Sequence, residues 1–151
     1  MRYYHDVVGY NYRLEGLQGA VLSVSLKYLP QWTARRREIG QRYLKEITNP
    51  LLTMQAHPEN TEPVFHLFVI TVEDPEDFLV YMEKKGIECN RHYPVPCHLQ
   101  KAYKNLGYQP GDCPNAEYLA SHCITLPLFP EMTEGEAGMV IDACNAYTGK
   151  K

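Results

Sequence analysis

Apolar residues recur along the first part of the chain at the spacing of a helix. Leu14, Leu17, Val21, Val24 and Tyr28 step by threes and fours, and Leu22, Leu26 and Leu29 form a second line beside them. The combined stripe is wider than a surface helix needs, so the pattern predicts a helix covered on two sides, one of them a partner surface. Pro30 is expected to stop or kink it. A second helical register carrying Trp32, Ile39, Tyr43 and Ile47 then runs to Asn49-Pro50. Residues 1–13, polar and aromatic and interrupted by Gly9 and Asn11, read as a loop, and residues 53–63 as a polar connector.

Val64 to Val72 is almost unbroken apolar and β-branched sequence, which predicts a strand buried on both faces with His66 inside it. Asp74-Pro75-Glu76-Asp77 supplies an N-cap, a first-turn proline and early acidic residues. The helix it starts turns Phe78, Tyr81 and Met82 inward and closes at Lys84-Lys85-Gly86. A strand is expected from Ile87 to about His92, and short helices over 98–105 and 115–122. Next come a strand at 123–126 and a last helix, opened by a Thr133/Glu136 capping box, with Met139, Val140, Ala143, Cys144 and Tyr147 facing the core. The whole is an α/β chain: a small sheet flanked by helices, preceded by two long helices.

Composition narrows the function. With 151 residues, 44% of them hydrophobic, the chain can bury roughly 68–70% of its unfolded surface without a metal or disulfide. Net charge is −3, from 15 basic and 18 acidic residues, which favours neither nucleic acid nor an anionic membrane. The basic run Arg35-Arg36-Arg37 is most simply a solvated helix face. Five cysteines make no CxxC pair and no signal-peptide pattern opens the chain, so a cytoplasmic protein with reduced thiols is expected. No apolar run approaches the ~18 residues of a membrane span.

Two segments could carry chemistry. His92-Tyr93-Pro94-Val95-Pro96-Cys97-His98 brings two imidazoles, a phenol and a thiol together on a proline-stiffened frame. It could bind zinc, although the spacing fits no standard zinc pattern. It could line a polar pocket, or be plain surface. Cys97 and His98, adjacent on an extended chain, point apart and make a poor catalytic pair. Gly9-Tyr10-Asn11-Tyr12-Arg13, an amide and a guanidinium ahead of a helix, suits a phosphate or carboxylate site, or a helix cap with flanking aromatics. His66 reads as a core histidine that could approach the 92–98 loop from a neighbouring strand.

The order of these segments carries a resemblance. YYHDVVGYNYRLEGLQGAVLSVSLKYLPQWTARRREIGQRY, with its G-x-N-x-R, is followed by His66 in a Phe-rich strand and by Gly86-Ile87. After them come HYPVPCHLQKAY, LGY with GDCPNAE, and ITLPLFPEMTEGE. Across the whole length this resembles the DegT/StrS family of sugar aminotransferases. The resemblance implies the C-terminal part of a fold-type I enzyme dependent on pyridoxal 5'-phosphate (PLP). Residues 1–50 would be a PLP-proximal loop and helices leading from a large domain, and 51–151 the small α/β domain. It implies a homodimer that moves an amino group from an amino acid, usually glutamate, to a nucleotide-linked keto sugar in deoxyamino-sugar biosynthesis. It assigns Asn11, with Tyr10 and Arg13, to the PLP phosphate of the neighbouring subunit, and His92, Tyr93 and His98 to the sugar-nucleotide side. No metal site is expected, since the 92–98 spacing fits no standard zinc pattern and its prolines hold the segment open. Asn90-Arg91 stands where the family often has Thr-Gly-Ile or similar, a difference that falls beside the sugar pocket.

PLP chemistry needs a Schiff-base lysine and an acidic partner for the ring nitrogen. In the family both precede the position matching Met1, and none of the lysines at 27, 45, 84, 85, 101, 104, 150 and 151 matches the family's. The chain alone is therefore expected to be inactive. It would be a fragment, half of a split enzyme, or a non-catalytic binding or dimerisation module.

Overall fold

The computed structural model describes Tyr12 and residues 14–150; Tyr10, Asn11 and Arg13 lie outside the described residues. The chain divides into two compact units, one ending at Trp32 and one comprising Thr33–Lys151. Helix α1, Gly16–Glu46, is continuous through Pro30. The two long helices expected on either side of the proline are thus one. Pro30 removes a single hydrogen bond to the carbonyl four residues back. Good helix formers continue on both sides, and the later turns are held by the burial of Ile39, Gly40 and Tyr43.

In the first unit the apolar stripe stands uncovered, with Leu14 68%, Leu17 78%, Val24 55% and Leu26 63% exposed. Its aromatic end is a stacked pair, Tyr28 on Trp32, with centroids 5.8 Å apart.

The second unit is built on three antiparallel strands in the order β1-β2-β3: β1 Leu52–Met54, β2 Phe68–Val72 and β3 Cys123–Leu126. Around them lie α2 Pro75–Lys84, α3 Pro114–His122 and α4 Glu134–Ala146, with two 3₁₀ turns at Cys97–Leu99 and Lys101–Leu106. The pairs Phe68↔Leu126 and Ile70↔Ile124 set the register of the β2–β3 ladder. Phe68, Ile70 and Val72 are buried while Val69 and Thr71 are half-buried, so β2 has one core face rather than the expected two. Tyr43 meets Phe68 edge-on at 5.1 Å and donates to the Pro127 carbonyl at 2.9 Å. Phe78 and Tyr147 meet edge-on at 4.9 Å.

Several expectations are corrected by backbone accounting. The strand expected from Val64 begins at Phe68, because Phe65 takes a φ of 50° that turns the chain. His66 is therefore exposed and outside the sheet, not a core histidine. Arg35, Arg36 and Arg37 are half-buried, not a solvated face. Arg36 Nη1 donates to the carbonyls of Phe65, His66 and Leu128 at 3.1–3.3 Å, Arg35 to Met132 at 2.8 Å and Arg37 to Pro63 at 3.3 Å. These irregular segments have no ladder to satisfy their carbonyls, and the guanidinium forks do it instead. The strand expected over 87–92 reduces to one bridge, Asn90↔Thr125, since Pro94 and Pro96 have no N–H to extend it. The expected connector over 53–63 contains the end of β1, extended where Gln55 Oε1 accepts from Val69 N–H at 3.1 Å.

Helices α2 and α4 follow their local signals. Asp74 caps α2 by accepting from Asp77 N–H at 3.0 Å, and both arms of the Thr133/Glu136 capping box are present on α4. Met139 is 56% exposed, not in the core, because the buried stripe of α4 runs through Ala137, Val140, Ile141 and Cys144. Among the described residues no helix is long and apolar enough to cross a membrane.

Candidate functional site

The chain leaves α2 at Gly86, whose φ of 74° suits glycine at a helix end, and passes along the outer edge of β3. There Thr125 N–H bonds Asn90 O at 2.6 Å and Asn90 N–H bonds Thr125 O at 3.1 Å. This bridge brings His92 beside the Thr125 side chain. Thr125 is a buried polar residue, 7% exposed, and its Oγ1 lies 2.8 Å from His92 Nδ1.

Both residues line a cleft of about 460 Å³. His66 and Leu67 come to it from the segment before β2, Pro127 and Phe129 from the segment after β3, and Glu136 and Met139 from α4. Arg36 ties two of these walls together through the carbonyls of His66 and Leu128. His66 and His92, far apart in sequence, thus share one cleft. The charged lining residues are Glu88 and Glu136, with no lysine or arginine among the described residues.

The other two loop residues lie elsewhere. Tyr93 is 70% exposed and meets the His92 ring edge-on at 5.2 Å, but is not on the cleft wall. His98 has its side chain 8% exposed and its Nε2 3.0 Å from Glu117 Oε1, and Tyr108 sits edge-on against its ring at 5.9 Å. Glu117 also accepts from Gly111 N–H at 2.9 and 3.0 Å and from Cys113 N–H at 3.2 Å. His98 thereby joins a network that ties residues 97–113 to the first turn of α3. At the other end of α3, Arg91 Nη2 caps the carbonyls of Ala120 and Ser121 at 2.7 and 2.9 Å, and its Nη1 reaches Glu76 at 2.9 Å. Thr125 and Glu117 contact His92 and His98 and are not singled out from the sequence, where Arg91 stands only as a departure from the family pattern. The lone threonine in an apolar strand was the available signal for Thr125, and the quoted GDCPNAE motif already contained Glu117.

Electrostatics agree with this geometry. The Gly111 N–H, followed by His98 and the Cys113 N–H, holds the Glu117 carboxyl below its usual value near 4.5, against an opposing effect of desolvation. A carboxylate depressed on folding contributes stability above its unfolded pKa and loses it as pH falls through the folded value. The Gly111 amide resonance is therefore expected to titrate with a midpoint below 4.5, and Glu117→Gln should abolish that titration in a pH series of NMR spectra. A midpoint at or above the ordinary value would contradict the anchor. Burial pushes the Cys89 and Cys144 thiols up to about 12, so neither is a nucleophile at neutral pH. Among the described residues no three of His, Cys, Asp and Glu converge to hold a metal.

The DegT/DnrJ/EryC1/StrS aminotransferase family matches residues 1–145. The chain belongs to that family. It is 35% identical over 144 residues to a pleiotropic regulatory protein of Geobacillus stearothermophilus, covering 93% of this chain and 39% of the relative. It is 39% identical over 139 residues to a dTDP-3-amino-3,6-dideoxy-alpha-D-galactopyranose transaminase of Aneurinibacillus thermoaerophilus, covering 92% and 38%. Among solved structures, DesV of S. venezuelae in complex with a ketimine intermediate superimposes with a TM-score of 0.88 at 34% identity, covering 96% of this chain and 39% of that one. The chain spans about two fifths of the length of the curated relatives it matches.

Proposed function

We propose that this chain works as the C-terminal portion of a cytoplasmic PLP-dependent aminotransferase. The enzyme would pass an amino group from glutamate to a nucleotide-linked keto sugar. The observation that carries the reading is His92, held by Thr125 on the wall of a cleft whose mostly apolar lining also includes the hydrogen-bonding side chains of His66 and Asn90. Such a lining suits a neutral hydroxylated sugar ring. It does not suit a phosphate, since its full charges are carboxylates.

That distribution leaves the anionic groups to other parts of the molecule. Asn11, with Tyr10 and Arg13, would hold the PLP phosphate of the neighbouring subunit in a homodimer, and the bound cofactor would supply the electron sink for the amino-group exchange. Tyr93, exposed beside His92, would meet the nucleotide side of the substrate. His98 would act there through the loop that it and Glu117 hold. The relative named as a dTDP-amino-sugar transaminase supports the substrate class. Residues 1–50 would join the cofactor-bearing part to the small domain of residues 51–151.

A second reading rests on a separate observation. The exposed stripe from Leu17 to Leu29 on α1 is an apolar surface of the kind that marks association, as a binding or dimerisation module would need. One assay separates the readings. The chain is incubated with PLP, glutamate and a dTDP-linked keto sugar, with and without a lysine-bearing cofactor domain taken from a relative. Amino sugar and 2-oxoglutarate are expected only when that domain is present. Product from the chain alone would overturn its dependence on a second lysine source, and absence of product in both, with the chain folded, would favour the module.

A further inference from the structure

We infer that Thr125 is a positioning residue that fixes His92 in its Nε2–H tautomer, so that the ring offers the cleft a hydrogen-bond donor rather than an acceptor. The inference deepens the substrate-facing reading of His92 given above and rests on it.

The argument is one of proton accounting. A threonine hydroxyl carries one proton, and Thr125 is buried in a strand whose other residues are all buried. Among the described residues its hydroxyl has one hydrogen-bond partner, His92 Nδ1 at 2.8 Å. If Nδ1 carried the ring proton and donated it to Oγ1, the hydroxyl proton would have no acceptor among the described residues and only cleft solvent to turn to, the poorer arrangement for a residue 7% exposed. The arrangement that satisfies both groups is Oγ1–H donating to a bare Nδ1, which places the proton of a neutral imidazole on Nε2. Nε2 has no partner among the described residues, and His92 lines the cleft.

The frame makes this assignment rigid. Thr125 is paired with Val69 in the β2–β3 ladder and bonded through both backbone groups to Asn90, and its β-branched side chain has few rotamers to escape into. Asn90 in turn sits two residues before the ring it helps to place. The group recognised by such a donor is an acceptor oxygen, the carbonyl or hydroxyl oxygen of a sugar.

Long-range ¹H–¹⁵N spectra of the chain labelled at histidine, at alkaline pH and assigned with His92→Gln, read the tautomer directly. In the wild-type chain Nδ1 is expected to show the shift of an unprotonated, hydrogen-bonded nitrogen and Nε2 that of a protonated one. Thr125→Val, nearly isosteric, should move both shifts toward the average of two exchanging tautomers, and Thr125→Ser should restore them. A wild-type ring protonated at Nδ1, or Thr125→Val shifts identical to wild type, would overturn the inference. Should the valine variant not fold, the wild-type and serine spectra still decide it. Addition of dTDP-glucose gives the separate arm. If the His92 signals do not move while the tautomer stands, the substrate-facing reading fails and the Thr125 assignment remains.

Discussion

Arg36→Ala is expected to destabilise the Thr33–Lys151 unit by about 2–3 kcal/mol, because charge-assisted hydrogen bonds contribute roughly 1.5–3 kcal/mol and stranded carbonyls lose more than neutral pairs do. One guanidinium nitrogen serves the carbonyls of Phe65, His66 and Leu128 at 3.1–3.3 Å. Two of these bonds are partly buried, and they join segments that no ladder connects. The loss should appear as a lower urea midpoint with an unchanged m-value. Arg36→Lys should recover only part of it, since an ammonium lacks the planar fork. Because His66 and Leu128, both held by Arg36, line the cleft, the Arg36→Ala chain should also show shifted His66 and His92 resonances. A loss below about 0.5 kcal/mol, the range of ordinary surface substitutions, would show that these carbonyls are satisfied by water instead.

That arginine marks where sequence reading ends for this chain. The cap at Asp74, the proline after it, Gly86 and the Thr133/Glu136 box were all legible, because each signal and its partner lie within a few residues. The role of Arg36 was not, since its acceptors lie 29, 30 and 92 residues away and nothing in an Arg-Arg-Arg run says which carbonyls will lack a partner. The same reason explains the strands. Val64–Val72 has the composition of a strand throughout, yet the positive φ at Phe65 and the carbonyls claimed by Arg36 end it at Phe68. Propensity describes what a segment can do, and tertiary partners choose among those options.

The site divides along the same line. The 92–98 loop stood out as a cluster of reactive side chains on a proline frame, and a shared role for them was the natural expectation. The fold separates them: His92 lines the cleft, Tyr93 faces solvent, and His98 is held by Glu117. Thr125 gave almost no sequence signal, because a threonine in a strand is an ordinary β-former. Its importance comes only from Asn90 and His92 arriving at the edge of β3.

Gly40→Ala is the second large effect expected, and its sign runs against helix propensity. Alanine in the interior of a helix is favoured over glycine by about 0.8–1.0 kcal/mol, and Gly40 lies well inside α1. Yet a Cβ there would stand 2.4 Å from Phe65 Cδ2 and 2.5 Å from its Cγ, closer than such atoms can approach. The ring has little room to retreat: Phe65 is 3% exposed, with Phe68 at 5.7 Å and His57 at 5.2 Å. Overpacking of this kind typically costs 1–3 kcal/mol, and with the whole ring displaced the upper end applies, for a net loss of about 2 kcal/mol. The attribution to one contact is testable by a double-mutant cycle. Phe65→Ala alone should destabilise by opening a cavity, but in that background Gly40→Ala should become neutral or stabilising, giving a coupling above about 1 kcal/mol between the two positions. Additive losses would mean that the clash is relieved elsewhere, and that Gly40 is required for some reason other than the approach of Phe65. Because the carbonyl of Phe65 is also held by Arg36, the close helix approach and the guanidinium clamp act on one residue. Gly40→Ala and Arg36→Ala are therefore expected to be less than additive when combined.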